Sequence, residues 1–290
     1  MDYSTIKSNV LQKAELDFWE KLKKNGEETD LKYARDLPDN TPKFILEMLS
    51  EFENEVAEFC LGDASGSVLD AGCGNGNILM KSLGSGNISI GQPAQKMRRY
   101  TGLDFSRNML GRAAIRAQHL PNSFFLQGSV NHLPFKDKSF DRVVSSGVLT
   151  CLPIVQEAEA ALSEFNRVLK PEGTLVVDFF NRASHFTILR KHILRECISP
   201  PEYVSPGEFM TYLTHTGFEV LDCRGFDFKP YQGYLFMSRW RKIIDPCFIQ
   251  ERFTRIIEAK MVPKMPALCM LGYRIYVKCR KTEKGPRALR

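Results

Sequence analysis

An acid and three glycines between Ser67 and Asn77 (S-V-L-D-A-G-C-G-N-G-N) have the types and spacing of a ligand-binding turn. Asp70 ends a short apolar run, and Gly72, Gly74 and Gly76 follow at every second position. The pattern predicts a buried parallel strand that turns sharply into a helix, because glycine permits positive φ and lets a ligand approach the bare backbone. The N–H groups that begin such a helix would face that ligand. The stretch therefore predicts a nucleoside-containing ligand at the carboxyl ends of the strands.

The spacing of these glycines differs from the dinucleotide fingerprint, G-x-G-x-x-G/A with an acid about 20 residues later. The third glycine comes one position too early, and Asn77 stands where a small residue should be. A carboxylate at Asp70 would repel a pyrophosphate but suits a ligand with an ammonium group. The turn resembles the first motif of class I S-adenosylmethionine-dependent methyltransferases, acid-x-G-x-G-x-G. A glycine-rich loop without a ligand is the alternative that the rest of the chain must decide. The resemblance implies that the cofactor is bound by Asp70, Gly72, Cys73, Gly74, Asn75 and Gly76.

A second acid, Asp104, ends the next apolar run, Tyr100 to Leu103. In a doubly wound sheet, the acid that ends the second strand accepts hydrogen bonds from ribose hydroxyls. The stretch T-G-L-D-F-S-R-N-M-L is similar to the second motif of the same family, and its serine is placed to cap a helix. The resemblance implies that Asp104, Phe105 and Met109 contact the cofactor. Two motifs in the right order favour an enzyme.

The third motif departs from the family at Ser129, where G-D-A-x-x-L-P-F usually carries an acid that bonds the adenine amino group. A hydroxyl can still accept from an amine, although without charge assistance. The resemblance therefore assigns Ser129 to the adenine, with the Val130 N–H as the expected partner of the ring. His132 lies in the same loop, and we expect it to be exposed rather than catalytic.

The fourth motif, F-D-R-V-V-S-S-G-V-L-T-C-L-P, resembles that of the family and implies that Ser146 and Gly147 bind the cofactor beside its methylsulfonium and so line the site of methyl transfer. The Asn/Asp-Pro-Pro-aromatic motif of DNA adenine methyltransferases is absent here, which argues against a nucleic-acid amino group as the acceptor. Family members recognise their acceptors near the N-terminus and between strands five, six and seven. We accordingly expect His185 as a possible base for a hydroxyl or carbon acceptor. The expected acceptor-binding residues are Trp19, Tyr33, Phe180, Tyr231 and Tyr234.

The resemblance implies an α/β fold, a Rossmann-like doubly wound sheet of seven strands in the order 3-2-1-4-5-7-6, with strand seven antiparallel. The predicted strands are Ser67–Ala71, Tyr100–Leu103, Ser123–Gln127, Asp141–Ser145, Thr174–Phe179, Phe218–Arg224 and Tyr273–Cys279. The predicted organisation is an N-terminal helical segment or lid (1–61), a cofactor-binding core (62–225), an aromatic and basic insertion (226–266), the last strand (267–281) and a basic tail (282–290). A polar insertion at 84–99 has no assigned role.

Composition sets limits on the class of protein. The 290 residues carry a net charge of +6, and no apolar run approaches the roughly 20 residues that span a membrane. The eight cysteines are scattered without a C-x-x-C pair, which predicts no metal site and a reducing, cytoplasmic location. Residues 229–290 hold fifteen Lys or Arg against four acids, a balance that could serve nucleic acid, an acidic substrate or only a solvated surface.

The predicted function is methyl transfer from S-adenosylmethionine to a small-molecule acceptor at O, N or C, with S-adenosylhomocysteine as the product. The closest resemblance is to ubiquinone-biosynthesis methyltransferases. One alternative is a methyltransferase acting on RNA or protein, which only the basic C-terminal part supports. Another is a cofactor-binding protein without turnover, which the serine in the third motif and the lack of an obvious base keep open. The glycine spacing disfavours a nicotinamide dehydrogenase, and oligomeric state is not predicted.

Overall fold

The computed structural model describes residues 13–14, 16–20, 43–84, 97–152, 155–192, 203–226, 247, 249, 268 and 270–282. The strands are β1 (Gly66–Ala71), β2 (Met97–Asp104), β3 (Ser123–Gln127), β4 (Phe140–Ser145), β5 (Leu169–Asn181), β6 (Tyr203–Val204), β7 (Phe218–Phe226) and β8 (Arg274–Lys281). The helices are α1 (Lys43–Leu61), α2 (Asn77–Gly84), α3 (Arg107–Arg116), α4 (Val155–Val168), α5 (His185–His192) and α6 (Pro206–His215), and a short 3-10 turn spans Leu149–Cys151.

The strands form one sheet in the order β3-β2-β1-β4-β5-β8-β7, which confirms the predicted topology. Strands β1 to β5 pair in parallel, whereas β8 is antiparallel to both of its neighbours. The sequence did not indicate the two-residue strand β6, which pairs in parallel with the end of β5. The strand order reverses between β1 and β4, the place where doubly wound sheets bind ligands.

Strands β2 and β5 extend furthest beyond the bounds that their sequence patterns indicate. Strand β2 begins at Met97 rather than Tyr100, because its first residues pair beside Gly66 and Ser67 of β1. Strand β5 includes the segment Lys170–Gly173 that reads as a turn. The register against β4 shifts at this point, and Glu172 takes a positive φ of 58°, so the turn signature becomes an irregularity within the strand.

Both faces of the sheet are covered, which explains why its central strands are continuous apolar runs. Leu175 and Val177 of β5 belong to a cluster on the α4 and α6 face, whereas Val176 between them packs with α1 on the other face. Helix α4 contributes residues at spacings of three and four, the pattern of one apolar helix face. These residues are Ala158, Ala161, Leu162, Phe165 and Val168.

Most of the predicted insertions lie outside the described residues. Of 226–266, the structure describes only Phe226, Cys247 and Ile249, and of the tail only Thr282. The boundaries proposed for the N-terminal segment, the insertion and the tail remain predictions.

A search of the described helices for a segment that is apolar and long enough to span a bilayer finds none. Within the same residues, no group of three or more His, Cys, Asp or Glu side chains is placed to hold a metal ion.

Candidate functional site

The glycine turn after β1 is fixed to the end of β2. The N–H groups of Gly72 and Cys73 both donate to the Leu103 carbonyl, at 2.7 and 3.0 Å. Gly72 has a φ of +83°, and a Cβ there would lie 2.1 Å from Cγ2 of Val148. A Cβ on Gly74 would meet nothing within 4 Å. The turn therefore needs glycine at its first position for packing and leaves open space at its second.

Asp70 is a buried carboxylate with one oxygen to spare. It is 1% exposed, and its Oδ2 accepts from the Tyr100 hydroxyl at 2.5 Å. Its Oδ1 has no hydrogen-bond partner among the described residues. Burial raises the pKa of Asp70 to about 7, against the lowering effect of the Tyr100 hydrogen bond, and the Asp104 charge adds to the rise. An orphaned carboxylate oxygen is costly, and a cationic ligand group would satisfy it.

Asp104 joins the first two motifs in space. Its Oδ2 accepts from the Gly74 N–H at 2.8 Å and its Oδ1 from the Ser106 N–H at 2.9 Å. Burial raises the pKa of this carboxyl, although the backbone N–H groups oppose the rise. The side chain of Ser106 caps α3 by accepting from the Met109 N–H at 3.2 Å. The Phe105 N–H is a third backbone donor to this carboxylate, whose two oxygens offer about four lone-pair sites and so can still accept from a ribose hydroxyl.

Trp19 lies against the start of α3. It packs on Met109, and its carbonyl accepts from Nδ2 of Asn108 at 3.2 Å. Glu20 accepts from the Arg107 N–H at 2.6 Å, so a carboxylate sits at the positive end of the helix. Trp19, predicted on the acceptor side, therefore contacts a residue predicted on the cofactor side.

The loop after β3 places Ser129 at the surface and Val130 inside. Ser129 Oγ accepts from the Asn131 N–H at 3.3 Å, whereas Val130 is 7% exposed. His132 is exposed, as expected. Phe105 lies in the loop after β2 and is 37% exposed, so part of its ring is open to a ligand. Ser129, Val130 and Phe105 thus follow the ends of adjacent strands β3 and β2.

Four polar side chains meet where β4, β5 and β8 lie side by side, and we call them the donor cluster: Ser146, Asp178, Arg274 and Tyr276. Asp178 Oδ1 accepts from the Gly147 N–H at 2.6 Å, and its Oδ2 accepts from Arg274 Nε at 2.5 Å. Ser146 Oγ lies 2.7 Å from the Tyr276 hydroxyl and 3.3 Å from Arg274 Nη2. Ser146, which belongs to the cluster, and Gly147, which donates to it, are the two residues predicted to line the transfer site.

The charges of the donor cluster are held in one state at neutral pH. Burial works against the charge of Arg274, but the Asp178 carboxylate outweighs it and keeps the pKa of the guanidinium above its ordinary value. Burial raises the pKa of the Tyr276 hydroxyl, despite the nearby positive charge of Arg274. The arginine is thus charged and the phenol protonated, so both act as hydrogen-bond donors.

Phe180 is brought to the same edge of the sheet. Its ring stacks on Tyr273 with centroids 5.0 Å apart, and Arg274 Cζ lies 5.7 Å from its centroid. His185 begins α5, but its side chain lies outside the described residues. Tyr33, Tyr231 and Tyr234 also lie outside them, so these assignments stay predictions.

The sequence reading missed Tyr100, Asp178, Arg274 and Tyr276. Asp178 carried a signal, since it is an acid inside the apolar run L-V-V-D-F-F of a central strand. Arg274 and Tyr276 alternate with the apolar residues of β8, a spacing that places both on one face. Their meeting with Asp178 depends on pairing between β5 and β8, which are far apart in the chain.

Comparison with known proteins gives matches to the central part of the chain. The family model described as a methyltransferase domain matches residues 69–177. Demethylmenaquinone methyltransferase of Staphylococcus haemolyticus is 43% identical over 76 residues, 26% of this chain and 30% of that protein. The protein of the same name from Lactobacillus johnsonii is 39% identical over 112 residues, 36% of this chain and 40% of that protein. The chain thus spans less than half the length of these curated relatives.

Solved structures share the fold at low identity. Magnesium protoporphyrin IX methyltransferase (ChlM) from Synechocystis PCC 6803 with bound SAH has a TM-score of 0.57 and 16% identity, over 93% of this chain and 100% of that chain. The [4+2]-cyclase SpnF has a TM-score of 0.51 and 21% identity, over 84% and 83% of the two chains. One fold thus carries differently named enzymes, as is general for common folds. The family match shows that residues 69–177 of this chain resemble a methyltransferase domain.

Proposed function

We propose that this protein transfers a methyl group from S-adenosylmethionine to a small-molecule acceptor at O, N or C and releases S-adenosylhomocysteine. The observation that carries the proposal is the buried Oδ1 of Asp70, which has no hydrogen-bond partner among the described residues, and Asp70 begins the turn in which Gly74 has open space. A ligand with an ammonium group would satisfy that oxygen. The family match and the curated relatives named demethylmenaquinone methyltransferase support the same reading.

The residues present fit the cofactor in chemistry. Asp70 would hold the ammonium group, and Asp104 would accept from the ribose hydroxyls. Ser129 and Val130 would border the adenine, with Phe105 and Met109 beside it. The turn residues Gly72, Cys73, Gly74, Asn75 and Gly76 would line the cofactor, with the open space at Gly74 facing it. The bound cofactor would supply a methyl group on a sulfonium, and the protein supplies its orientation.

The protein's part in the reaction is positioning. Ser146 and Gly147 would hold the acceptor so that its lone pair lies in line with the bond to the methyl group. Such alignment alone can account for about 7–11 kcal/mol of rate acceleration. An amine or thiolate acceptor needs little more, whereas a hydroxyl or carbon acceptor must lose a proton, for which His185 is our proposed base.

The acceptor side is proposed to include Trp19, Tyr33, Phe180, Tyr231 and Tyr234. The assignment of Phe180 is supported by its contact with Arg274, which also donates a hydrogen bond to Ser146 Oγ. A cytoplasmic location is part of the proposal. It is supported by Cys60, Cys73 and Cys279, which are buried as free thiols and behave as small apolar side chains.

The experiment is a screen for S-adenosylhomocysteine release from S-adenosylmethionine with a panel of aromatic metabolites. We expect turnover with wild type, and its loss in Asp104→Ala, because the ribose contact is removed. Glu172→Gln is the matched control, since it removes a carboxylate at the opposite edge of the sheet. Cofactor binding without turnover on any acceptor would contradict the proposal and favour a binding protein.

A further inference from the structure

The acceptor oxygens of Asp178 are buried inside the donor cluster. Its side chain is 0% exposed and accepts from Gly147 N–H and from Arg274 Nε, so its remaining lone pairs are not accessible to a ligand. The groups that remain around it are therefore hydrogen-bond donors: the two hydroxyls and the outer nitrogens of the guanidinium. The cluster presents donors, and no free acceptor, to the edge where Ser146 and Gly147 lie.

Burial decides which hydroxyl keeps a free proton. Ser146 and Tyr276 share one hydrogen bond of 2.7 Å, which uses one of their two protons. Tyr276 is 1% exposed, whereas Ser146 is only partly buried. A buried phenol without an acceptor is costly, so the Tyr276 hydroxyl donates to Ser146 Oγ. The Ser146 proton is then left to point to the more open side.

Arg274 offers a second free donor. Its Nε is bound to Asp178 and its Nη2 to Ser146, but Nη1 has no hydrogen-bond acceptor within the described part of the chain. The side chain is 15% exposed, so only a small part of it is open to solvent. The Phe180 ring lies 5.7 Å away and provides an apolar surface at the same point.

We propose that the methyl acceptor carries an oxyanion, a carboxylate, phenolate or enolate, bound by the Ser146 hydroxyl and the Arg274 guanidinium. This inference rests on the proposed function and names its substrate class. The carboxylates of Asp178 and Glu53 both offset the charge of Arg274, so an added anion would be held by the two hydrogen-bond donors rather than by net charge. An ammonium group would find only donors there, and it is disfavoured. Phe180 makes an aromatic oxyanion the best fit.

The test is binding of matched probe pairs to protein saturated with S-adenosylhomocysteine, measured by calorimetry. The pairs are 4-hydroxybenzoate with 4-hydroxybenzamide, and 4-nitrophenolate with 4-nitroaniline. We expect the anionic member of each pair to bind more tightly. Equal or tighter binding of the neutral members, or no binding of either anion, would overturn the proposal. Failure of the proposed function would show separately, as loss of S-adenosylhomocysteine binding itself.

Variants distinguish recognition from a structural role for the cluster. Ser146→Ala should weaken anion binding about tenfold, the usual effect of a hydrogen bond to a charged group. Ser82→Ala is the matched control, because it removes another buried serine hydroxyl, bonded to the Leu79 carbonyl at 2.7 Å, without touching the cluster. Equal anion affinity in both variants would contradict the proposal.

A paired variant keeps the test valid if a lone charge would unfold the protein. Asp178→Asn with Arg274→Gln removes both charges together, which avoids an unpaired buried ion. We expect it to bind S-adenosylhomocysteine as wild type does and to lose the preference for the anionic probes. Retention of that preference would overturn the assignment of Arg274.

Discussion

Asp104 Oδ2 accepts a hydrogen bond from the Gly74 N–H at 2.8 Å, across thirty residues of sequence. This bond connects Asp104 at the end of β2, which we propose accepts from the ribose hydroxyls, to the glycine turn after β1. A ligand that touches one of these residues therefore meets a surface that the other holds in place. The predictions below follow from this connection and from the groups that surround it.

Two glycine substitutions should differ in how far they affect stability and ligand binding. Gly72→Ala should destabilise the fold by more than about 2 kcal/mol, because its Cβ would clash with Val148 Cγ2 and its φ is +83°. Gly74→Ala has open space and should cost only about 1 kcal/mol for its φ of +53°. Its methyl group would instead occupy the ligand's side and weaken S-adenosylhomocysteine binding. Urea unfolding and calorimetry measure the two effects, and equal destabilisation by both substitutions would contradict this account.

Binding of S-adenosylhomocysteine should strengthen as pH rises through about 7, where Asp70 ionises. The groups that face Asp70 are the hydroxyl of Tyr100, the carboxylate of Asp104 and the thiols of Cys60 and Cys73. Only the ionised carboxylate attracts an ammonium group strongly, so affinity measured from about pH 6 to about pH 8 should rise. Asp70→Asn should flatten this dependence, and an unchanged profile in that variant would count against Asp70.

The ligand-free protein should show the reverse trend. Because the pKa of Asp70 is raised in the folded state, its contribution to stability is full below the unfolded pKa of about 4 and is lost as pH rises to about 7. Melting temperatures of wild type and Asp70→Asn should therefore diverge over that window, with the variant gaining relative stability at the upper end. A constant difference across the window would show that Asp70 does not titrate there.

Tyr100→Phe should affect the ligand through Asp70. Loss of the hydroxyl leaves both oxygens of Asp70 without a described partner, which should cost about 1–3 kcal/mol of stability and raise the pKa of the carboxyl further. We expect weaker S-adenosylhomocysteine binding at neutral pH and recovery at higher pH. A loss of affinity that is the same at every pH would indicate a purely structural role for Tyr100.

Trp19 should report on the cofactor side of the cleft through its contact with Met109. The chain has two tryptophans, so Trp240→Phe leaves Trp19 as the sole indole fluorophore. We expect its emission to change when S-adenosylhomocysteine binds. Met109→Ala in the same background should reduce the change, and no response to saturating ligand would place Trp19 away from the cofactor.

The turns at the carboxyl edge could be predicted because they depend on local patterns, whereas the strand order was implied by the resemblance to class I methyltransferases. Asp70 and Asp104 each end an apolar run, and the glycines that follow Asp70 are typical of a sharp turn from a strand into a helix. The donor cluster could not be predicted, because Arg274 and Asp178 are 96 residues apart and meet only through antiparallel pairing of β8 with β5. The partnership of Tyr100 with Asp70 likewise depends on the register of β1 and β2.

Strand ends were harder to predict than strand order. The two residues of β6 carry too little pattern to be recognised, and they pair only because Phe180 and Asn181 extend β5 beyond its neighbours. The irregular start of β5 places Glu172 at positive φ, a conformation that the turn signature implied but did not locate within a strand. Both differences arise from pairing between distant segments.

Calorimetric titration of wild type and Asp104→Ala with S-adenosylmethionine and S-adenosylhomocysteine measures directly whether the protein binds the cofactor through Asp104. We expect wild type to bind both ligands with micromolar affinity, Asp104→Ala to lose this binding, and Glu172→Gln to bind both ligands as wild type does. A folded wild-type protein that binds neither ligand, or an Asp104→Ala variant that binds both as well as wild type does, would contradict this expectation.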